Sequence, residues 1–189
     1  GAASNVTILS GGELVVSGGT LSGVTISSGA DVVFEVVSSG LSASGQTIAS
    51  GLSQTVVSGG VAIGTNVLRG GAQYVSSGGT ASGTIVVASG VEDVYSSGTA
   101  IDATVSALGV RNIYAGGTAS AASVLAGGRE VIEGWLATDT TVFDGASAVI
   151  SSGGIAAGTT ISSGGSEYVY SGGVASNTTV LQGGADYIS

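Results

Sequence analysis

Two stretches of the chain show the unit from which the fold follows. Residues 155–173 read IAAGTTISSGGSEYVYSGG, and residues 61–79 read VAIGTNVLRGGAQYVSSGG. In each stretch, two glycine doublets separate short runs in which apolar and polar residues alternate. Alternation with a period of two is typical of β-strands, and glycine doublets are typical of turns. The unit is therefore interpreted as two or three short strands joined by tight turns.

The unit recurs along the whole chain. Cutting after every second GG or SG doublet gives segments that run from 2–19 to 174–189, with a period of about 19 residues. The seventh position is β-branched throughout, in Ile8, Ile26, Ile48, Val67, Val86, Val105, Val124, Val142, Ile161 and Val180. The fifteenth position is apolar throughout, in Val16, Phe34, Val56, Val75, Val94, Ile113, Ile132, Ile150, Val169 and Ile188. These two columns predict a continuous core.

Two further columns indicate small or left-handed positions. The second position is mostly alanine, in Ala3, Ala62, Ala81, Ala100, Ala119, Ala156 and Ala175, which suits a tight inward corner. The fourth position of the best-aligned segments holds residues that tolerate a positive φ, namely Asn5, Gly23, Gly64, Gly83, Asp102, Gly158 and Asn177. Ala121 is an exception to this column. We expect a left-handed turn residue here in most coils.

The repeat predicts a stacked architecture. One unit cannot bury its apolar face alone, so neighbouring units must stack and pair their strands in parallel. Ten coils at about 4.8 Å each give a rod of roughly 48 Å. We therefore predict an all-β fold, a right-handed single-stranded parallel β-helix (β-solenoid) of about ten coils. Residues 1–189 are expected to form a single β-helix repeat domain within a longer rod, because neither end carries a polar cap.

The composition excludes several classes of function. The chain of 189 residues has 36 glycines, a net charge of −9 and no Pro, Cys, Met or His, and its cations are Arg69, Arg111 and Arg129 only. A thiolate or histidine metal site and a Ser-His-Asp triad therefore cannot form within it. The acidic balance argues against nucleic acid as a partner, and no apolar run is long enough to span a membrane. We expect no cofactor, no metal and no enzymatic activity.

Acidic and basic residues meet at the thirteenth position of three successive segments. Glu92, Arg111 and Glu130 are expected about 4.8 Å apart along an outward ion ladder. Asp93 and Asn112 lie beside them, so this is the densest polar patch in the sequence. A polysaccharide-active enzyme is the alternative, with Glu92 and Glu130 roughly 9.6 Å apart as a carboxylate pair. Arg111 between the two acids favours the ion ladder, because it would hold both as ionised partners.

Tyrosines also recur at equivalent positions. Tyr95 and Tyr114 share the sixteenth position, and Tyr168 and Tyr187 share the fourteenth. Such pairs predict aromatic ladders that stabilise the sheet, and exposed rings could also contact a partner. The candidate interaction surface therefore comprises Glu92, Asp93, Tyr95, Arg111, Asn112, Tyr114 and Glu130.

The repeat resembles a known family. The stretch GGVASNTTVLQGGADYIS (172–189), together with 61–87, 118–132 and 155–189, is similar to the repeats of AIDA-type self-associating autotransporter adhesins of Gram-negative bacteria. The resemblance covers essentially the whole chain. It implies a passenger exported to the cell surface that mediates adhesion, autoaggregation and biofilm growth in virulence. The implied partners are other passengers and a host-cell receptor or glycan.

The resemblance also implies covalent modification. Some members of this family carry heptose on serines, added by a cytoplasmic heptosyltransferase before export. The serines that precede glycine corners or occupy the third position are the candidate O-glycosylation sites, namely Ser4, Ser17, Ser58, Ser77, Ser82, Ser97, Ser120, Ser152, Ser171 and Ser176. The alternative function is a passive structural spacer of a giant secreted surface protein, exported by another route.

Overall fold

The computed structural model describes residues 1–9, 19–26 and 35–189, and these residues fold into a parallel β-solenoid. Each complete turn of the chain contributes one strand to each of three parallel sheets that run along the rod. All regular structure in the described residues is β-strand, so the predicted fold class is confirmed. None of the described residues lies in a helix that is long and apolar enough to cross a membrane.

The strands are short, because a tight turn ends each one, built on glycine or on a single left-handed residue such as Asp102 or Ala121. The first sheet contains Ala2–Ser4, Gly19–Ser22, Leu41–Ser44, Val61–Ile63, Thr80–Ser82, Thr99–Ile101, Thr118–Ser120, Leu136–Thr138, Ile155–Ala157 and Val174–Ser176. The second contains Thr7–Ile8, Thr25–Ile26, Thr47–Ile48, Asn66–Val67, Ile85–Val86, Thr104–Val105, Ser123–Val124, Thr141–Val142, Thr160–Ile161 and Thr179–Val180. The third contains Glu35–Val37, Ser53–Val56, Ala72–Val75, Val91–Val94, Val110–Ile113, Arg129–Ile132, Ser147–Ile150, Ser166–Val169 and Ala185–Ile188.

The number of coils differs slightly from the prediction. Residues 41–189 form about eight complete coils, each with a strand in every sheet. The two preceding coils are described only in part, so about eight complete coils are described where about ten were predicted. The period is confirmed, since residues 19 positions apart pair across neighbouring coils, as Gln54 does with Gln73.

The two predicted core columns lie inside the rod. From Ile48 to Ile161 the seventh position is buried in every coil, and from Val56 to Val169 so is the fifteenth. One assignment is wrong, because Val37 and not Phe34 pairs with Val56. The coil before that pair is longer than the repeat, which shifts the register. Val16 and Phe34 lie outside the described residues.

The alanine column has a different role from the one predicted. These alanines occupy the centres of strands in the first sheet rather than corners, and from Ala62 to Ala156 they are buried. A small side chain here leaves room for the longer side chains that reach across from the third sheet. Arg111, for example, donates a hydrogen bond from Nη2 to the Ala100 carbonyl oxygen at 2.9 Å.

The left-handed turn at the fourth position is confirmed. Asn5, Gly64 and Asp102 have φ of 53°, 61° and 55°. Ala121 is not an exception, since its φ is 53°. The backbone N–H of this turn residue donates to the next coil, as from Ala121 to the Thr138 carbonyl oxygen at 2.9 Å. The inter-coil hydrogen bond therefore holds even alanine in a conformation that L-residues disfavour.

Exchanging alanine and glycine at this turn should change stability in opposite directions. We expect Ala121→Gly to raise the free energy of unfolding by about 1 kcal/mol, because glycine adopts a positive φ without steric strain. Gly64→Ala should lower it by about the same amount through backbone strain alone, since a Cβ at Gly64 meets nothing within 4 Å. Thermal unfolding followed by circular dichroism checks both. Shifts of the same sign would contradict the strain explanation.

Candidate functional site

The charged residues of the thirteenth position lie inside the rod. Glu92, Arg111 and Glu130 are 0% exposed. The predicted outward ion ladder is therefore wrong, and these three residues cannot belong to an interaction surface. The physical reason is the alternation of the strand, since residues two apart share a face. Glu92 must point the same way as Val94, which is in the core.

Arg111 joins the two glutamates within the core. Its Nε lies 3.0 Å from Glu92 Oε2, in a Coulombic contact without hydrogen-bond alignment. Its Nη1 donates to Glu130 Oε1 at 3.5 Å. Glu130 Oε2 accepts a second hydrogen bond, from Thr140 Oγ1 at 2.9 Å. Because no water reaches Glu92 or Glu130, this carboxylate pair is unsuited to cleave a polysaccharide.

The triad is part of a longer polar column that we call the core ladder: Gln54, Gln73, Glu92, Arg111, Glu130 and Glu167, all fully buried. Amide groups connect its early members, since Gln73 Nε2 donates to Gln54 Oε1 at 2.6 Å. Threonines in the turn between the first and second sheets supply further donors. Thr84 Oγ1 donates to Gln73 Oε1 at 2.8 Å, and Thr178 Oγ1 donates to Glu167 Oε2 at 3.1 Å. These two donors lie 11 residues after their acceptors, and Thr140 lies 10 residues after Glu130. The pairing is incomplete, because Ala148 stands in this column between Glu130 and Glu167 and Glu92 Oε1 accepts no hydrogen bond.

Burial perturbs two carboxyl groups of the core ladder. It raises the pKa of Glu130, although Arg111 and the Thr140 hydrogen bond partly oppose the shift. It likewise raises the pKa of Glu167, against hydrogen bonds from Thr159 and Thr178, and Asp186 adds to the increase. Both groups therefore bind a proton more readily in the folded chain than in the unfolded chain.

The contribution of Glu130 and Glu167 to the stability of the rod should therefore fall as the pH rises. A carboxyl group whose folded pKa exceeds its unfolded value near 4.5 stabilises the fold most below that value, and the stabilisation is lost as the pH rises through the folded pKa. We expect Glu167→Gln to flatten this slope in denaturant unfolding measured across pH. Glu133→Gln, which removes an exposed carboxyl, is the matched control and should retain the wild-type slope. Identical slopes for both variants and wild type would contradict the assignment.

The outward side of the third sheet carries the rest of the predicted surface. We call Tyr74, Asp93, Tyr95, Asn112 and Tyr114 the tyrosine face. The rings of Tyr95 and Tyr114 stack with centroids 4.9 Å apart and planes 9° apart, and Tyr74 is tilted against Tyr95 at 6.4 Å. Asp93 accepts from Asn112 Nδ2 at 2.7 Å and from the Tyr95 hydroxyl at 3.2 Å. The predicted tyrosine ladder is confirmed.

The second predicted tyrosine ladder is also present. Tyr168 and Tyr187 stack at 5.0 Å with an interplanar angle of 10°. At the tyrosine face, burial raises the pKa of Tyr95 to about 12, with Asp93 contributing a charge and a hydrogen bond. Burial and the charges of Asp93 and Glu133 raise the pKa of Tyr114. The charge of Asp93 therefore acts on both rings, and the charge of Glu133 acts on Tyr114.

The candidate serines differ in exposure. Those at the glycine corners, together with one near the start of the chain, are exposed: Ser4, Ser58, Ser77, Ser97, Ser152 and Ser171. The others described are only partly exposed: Ser82, Ser120 and Ser176. Ser17 lies outside the described residues. The exposed corner serines recur along one edge, where the backbone N–H of Ser58 donates to the Ser77 carbonyl oxygen of the next coil.

The three parallel sheets, with tyrosines and serines that recur on the outside of successive coils, define a β-solenoid built from repeats. The chain is similar to a solved structure described as a TibC-catalysed, hyper-glycosylated fragment of TibA, residues 55–350, with 32% sequence identity and a TM-score of 0.70. The match covers 100% of this chain and 82% of that one. The chain belongs to the AIDA-type autotransporter adhesin passengers. No family model and no curated protein matches it.

Proposed function

We propose that this chain is the surface-displayed passenger of a Gram-negative autotransporter and acts in adhesion, autoaggregation and biofilm growth without enzymatic activity. The observation that carries the proposal is the similarity to the TibA fragment over the whole of this chain. The β-solenoid supports it physically, because equivalent side chains recur on coil after coil. Many weak contacts along one rod then combine into strong attachment through avidity. The partners are other passengers and a host-cell receptor or glycan.

Adhesion is tested by displaying the chain on a non-adherent bacterium. We expect such cells to bind cultured host cells and form more biofilm than cells that display the export machinery alone, matched for surface density with an antibody tag. Equal adhesion and equal biofilm would favour the passive spacer and would contradict the proposal.

We further propose that a cytoplasmic heptosyltransferase modifies corner serines before export. The TibA fragment was glycosylated by TibC, and the exposed corner serines of this chain present hydroxyl groups in a row. Intact mass after coexpression with the native glycosyltransferase should exceed the sequence mass by whole numbers of heptose units. Peptide mapping should place them on Ser58, Ser77, Ser97, Ser152 or Ser171 in preference to Ser82 and Ser120. An unmodified mass would contradict this proposal. It would not change the outcome expected in the adhesion test.

A further inference from the structure

The tyrosine face ends at an acidic residue. Tyr114 donates its backbone N–H to the Val94 carbonyl oxygen, and Glu133 donates in the equivalent way to Ile113 on the next coil, at 2.7 Å. Glu133 therefore occupies the position at which the next stacked tyrosine would stand. One face of the Tyr114 ring is covered by Tyr95. The other face is directed toward the coil of Glu133.

This arrangement places an aromatic face next to a carboxylate. Glu133 is exposed, and Tyr114 is partly exposed. Coils are about 4.8 Å apart, so a group that lies on the Tyr114 ring can also reach the Glu133 side chain. Asp93 lies beneath the same face, only 8% exposed, and its carboxylate accepts hydrogen bonds from Asn112 and Tyr95. The site combines the aromatic face of Tyr114 with the exposed Glu133 carboxylate and the buried Asp93 carboxylate.

The charge of the face is not neutralised within the described part of the chain. The ion pairs found among the described residues involve only Arg111, which is buried in the core. Asp93 and Glu133 contribute to the raised pKa of Tyr114, so their negative field reaches the ring. Anionic ligands are repelled by this field and by the net charge of −9. A cation gains from both the ring quadrupole and the carboxylates.

We propose that the tyrosine face with Glu133 binds an arginine- or lysine-rich segment of a partner protein, with a cationic side chain between the Tyr114 ring and the Glu133 carboxylate. Arginine fits best, because its planar guanidinium stacks on an aromatic ring while its N–H groups donate to a carboxylate. The rest of the segment lies along the face past the exposed Tyr95 ring, above the buried Asp93 carboxylate. This inference rests on the proposed function only where it assigns the contact to adhesion. Binding of the cationic segment is measured on the purified chain and does not depend on that function.

The test measures the affinity of the 189-residue chain for a fluorescent oligoarginine peptide. We expect Tyr114→Leu and Glu133→Gln each to weaken binding roughly threefold, and the combined variant about tenfold. Tyr114→Phe keeps the aromatic ring and should bind as wild type does. Oligoglutamate of the same length should not bind, and added salt should weaken oligoarginine binding.

The control variant is Asp102→Asn, which removes an exposed acid from a turn between the first and second sheets. Asparagine tolerates the positive φ of 55° at this position, so the fold should be unaffected. Unchanged affinity in this variant supports the local site. Equal losses in Asp102→Asn and Glu133→Gln would overturn the proposal in favour of net charge alone. Tighter binding of a neutral cello-oligosaccharide with the same residue dependence would overturn the partner chemistry, and no oligoarginine binding by wild type would overturn the site.

Failure here is distinguishable from failure of the proposed function. Cells that adhere while the purified rod ignores oligoarginine would leave the adhesin function intact and remove this surface from it. If the rod binds oligoarginine but cells that display it fail to adhere, the binding site would stand and the adhesin function would be contradicted.

Discussion

Replacing Arg111 with alanine should lower the free energy of unfolding by about 3–5 kcal/mol, the largest effect that we expect from a single side chain. The substitution leaves Glu92 and Glu130 fully buried with no cation between them. Two like charges in a medium of low polarity are strongly disfavoured unless one takes up a proton. The loss should therefore be larger at neutral pH than at acid pH. Denaturant unfolding at both pH values measures it.

The matched control replaces the whole charged triad. Glu92→Gln, Arg111→Gln and Glu130→Gln together extend the amide column that Gln54 and Gln73 already form. A buried ion pair contributes little net stability compared with neutral replacements of similar size. We therefore expect the triple variant to lie within about 2 kcal/mol of wild type and to lose the acid-dependent recovery. If Arg111→Ala alone cost no more than the triple variant, the charge argument would fail.

Replacing Gly79 with alanine should lower the free energy of unfolding by about 3 kcal/mol. A Cβ at this position would overlap the Val56 carbonyl group of the preceding coil and lie 2.8 Å from the Val57 nitrogen. Both are backbone atoms, so no side chain can move aside. The coils would have to separate at this corner and weaken the hydrogen bond from the Thr80 N–H to the Gly60 carbonyl oxygen, 3.0 Å long in the native rod.

Its neighbour Gly78 is the control for this substitution. Gly78 has φ of 83°, and a Cβ there meets nothing within 4 Å. Gly78→Ala should therefore lose only about 1 kcal/mol, from backbone strain. Thermal unfolding of the two variants side by side checks the difference. Comparable losses would show that turn conformation, and not close packing of successive coils, explains the glycine doublets.

The fold could be predicted from the sequence because its determinants are periodic. The columns that contain Val67 and Val75 repeat about every 19 residues, and identical chemistry at a fixed period is explained by stacking. The register of the early coils could not be predicted as well. Glycine doublets placed Phe34 opposite Val56, whereas Val37 occupies that place, because this coil departs from the 19-residue spacing, as the pairing of Thr20 with Ser42 shows.

The direction of the charged residues was predicted incorrectly, although the sequence contains the signal. Glu92, Arg111 and Glu130 each precede a core residue by two positions, which already places them inside. The usual expectation that charges lie at the surface outweighed the alternation. A second signal is the threonine 11 residues after Gln73 and Glu167, which supplies a buried donor where the ladder has an acceptor. By contrast, the outward tyrosine ladder followed directly from the repeat.

The most direct test of the account is the settling of a bacterial suspension in which every cell displays this chain. Avidity between repeat rods predicts clumping and rapid settling, compared with cells that carry the same export machinery without the chain. Mixing labelled displaying cells with unlabelled bare cells should give clumps that contain only displaying cells if passengers bind one another. Stable suspension at equal surface density, together with no adhesion to host cells, would contradict the adhesin function and favour a passive spacer.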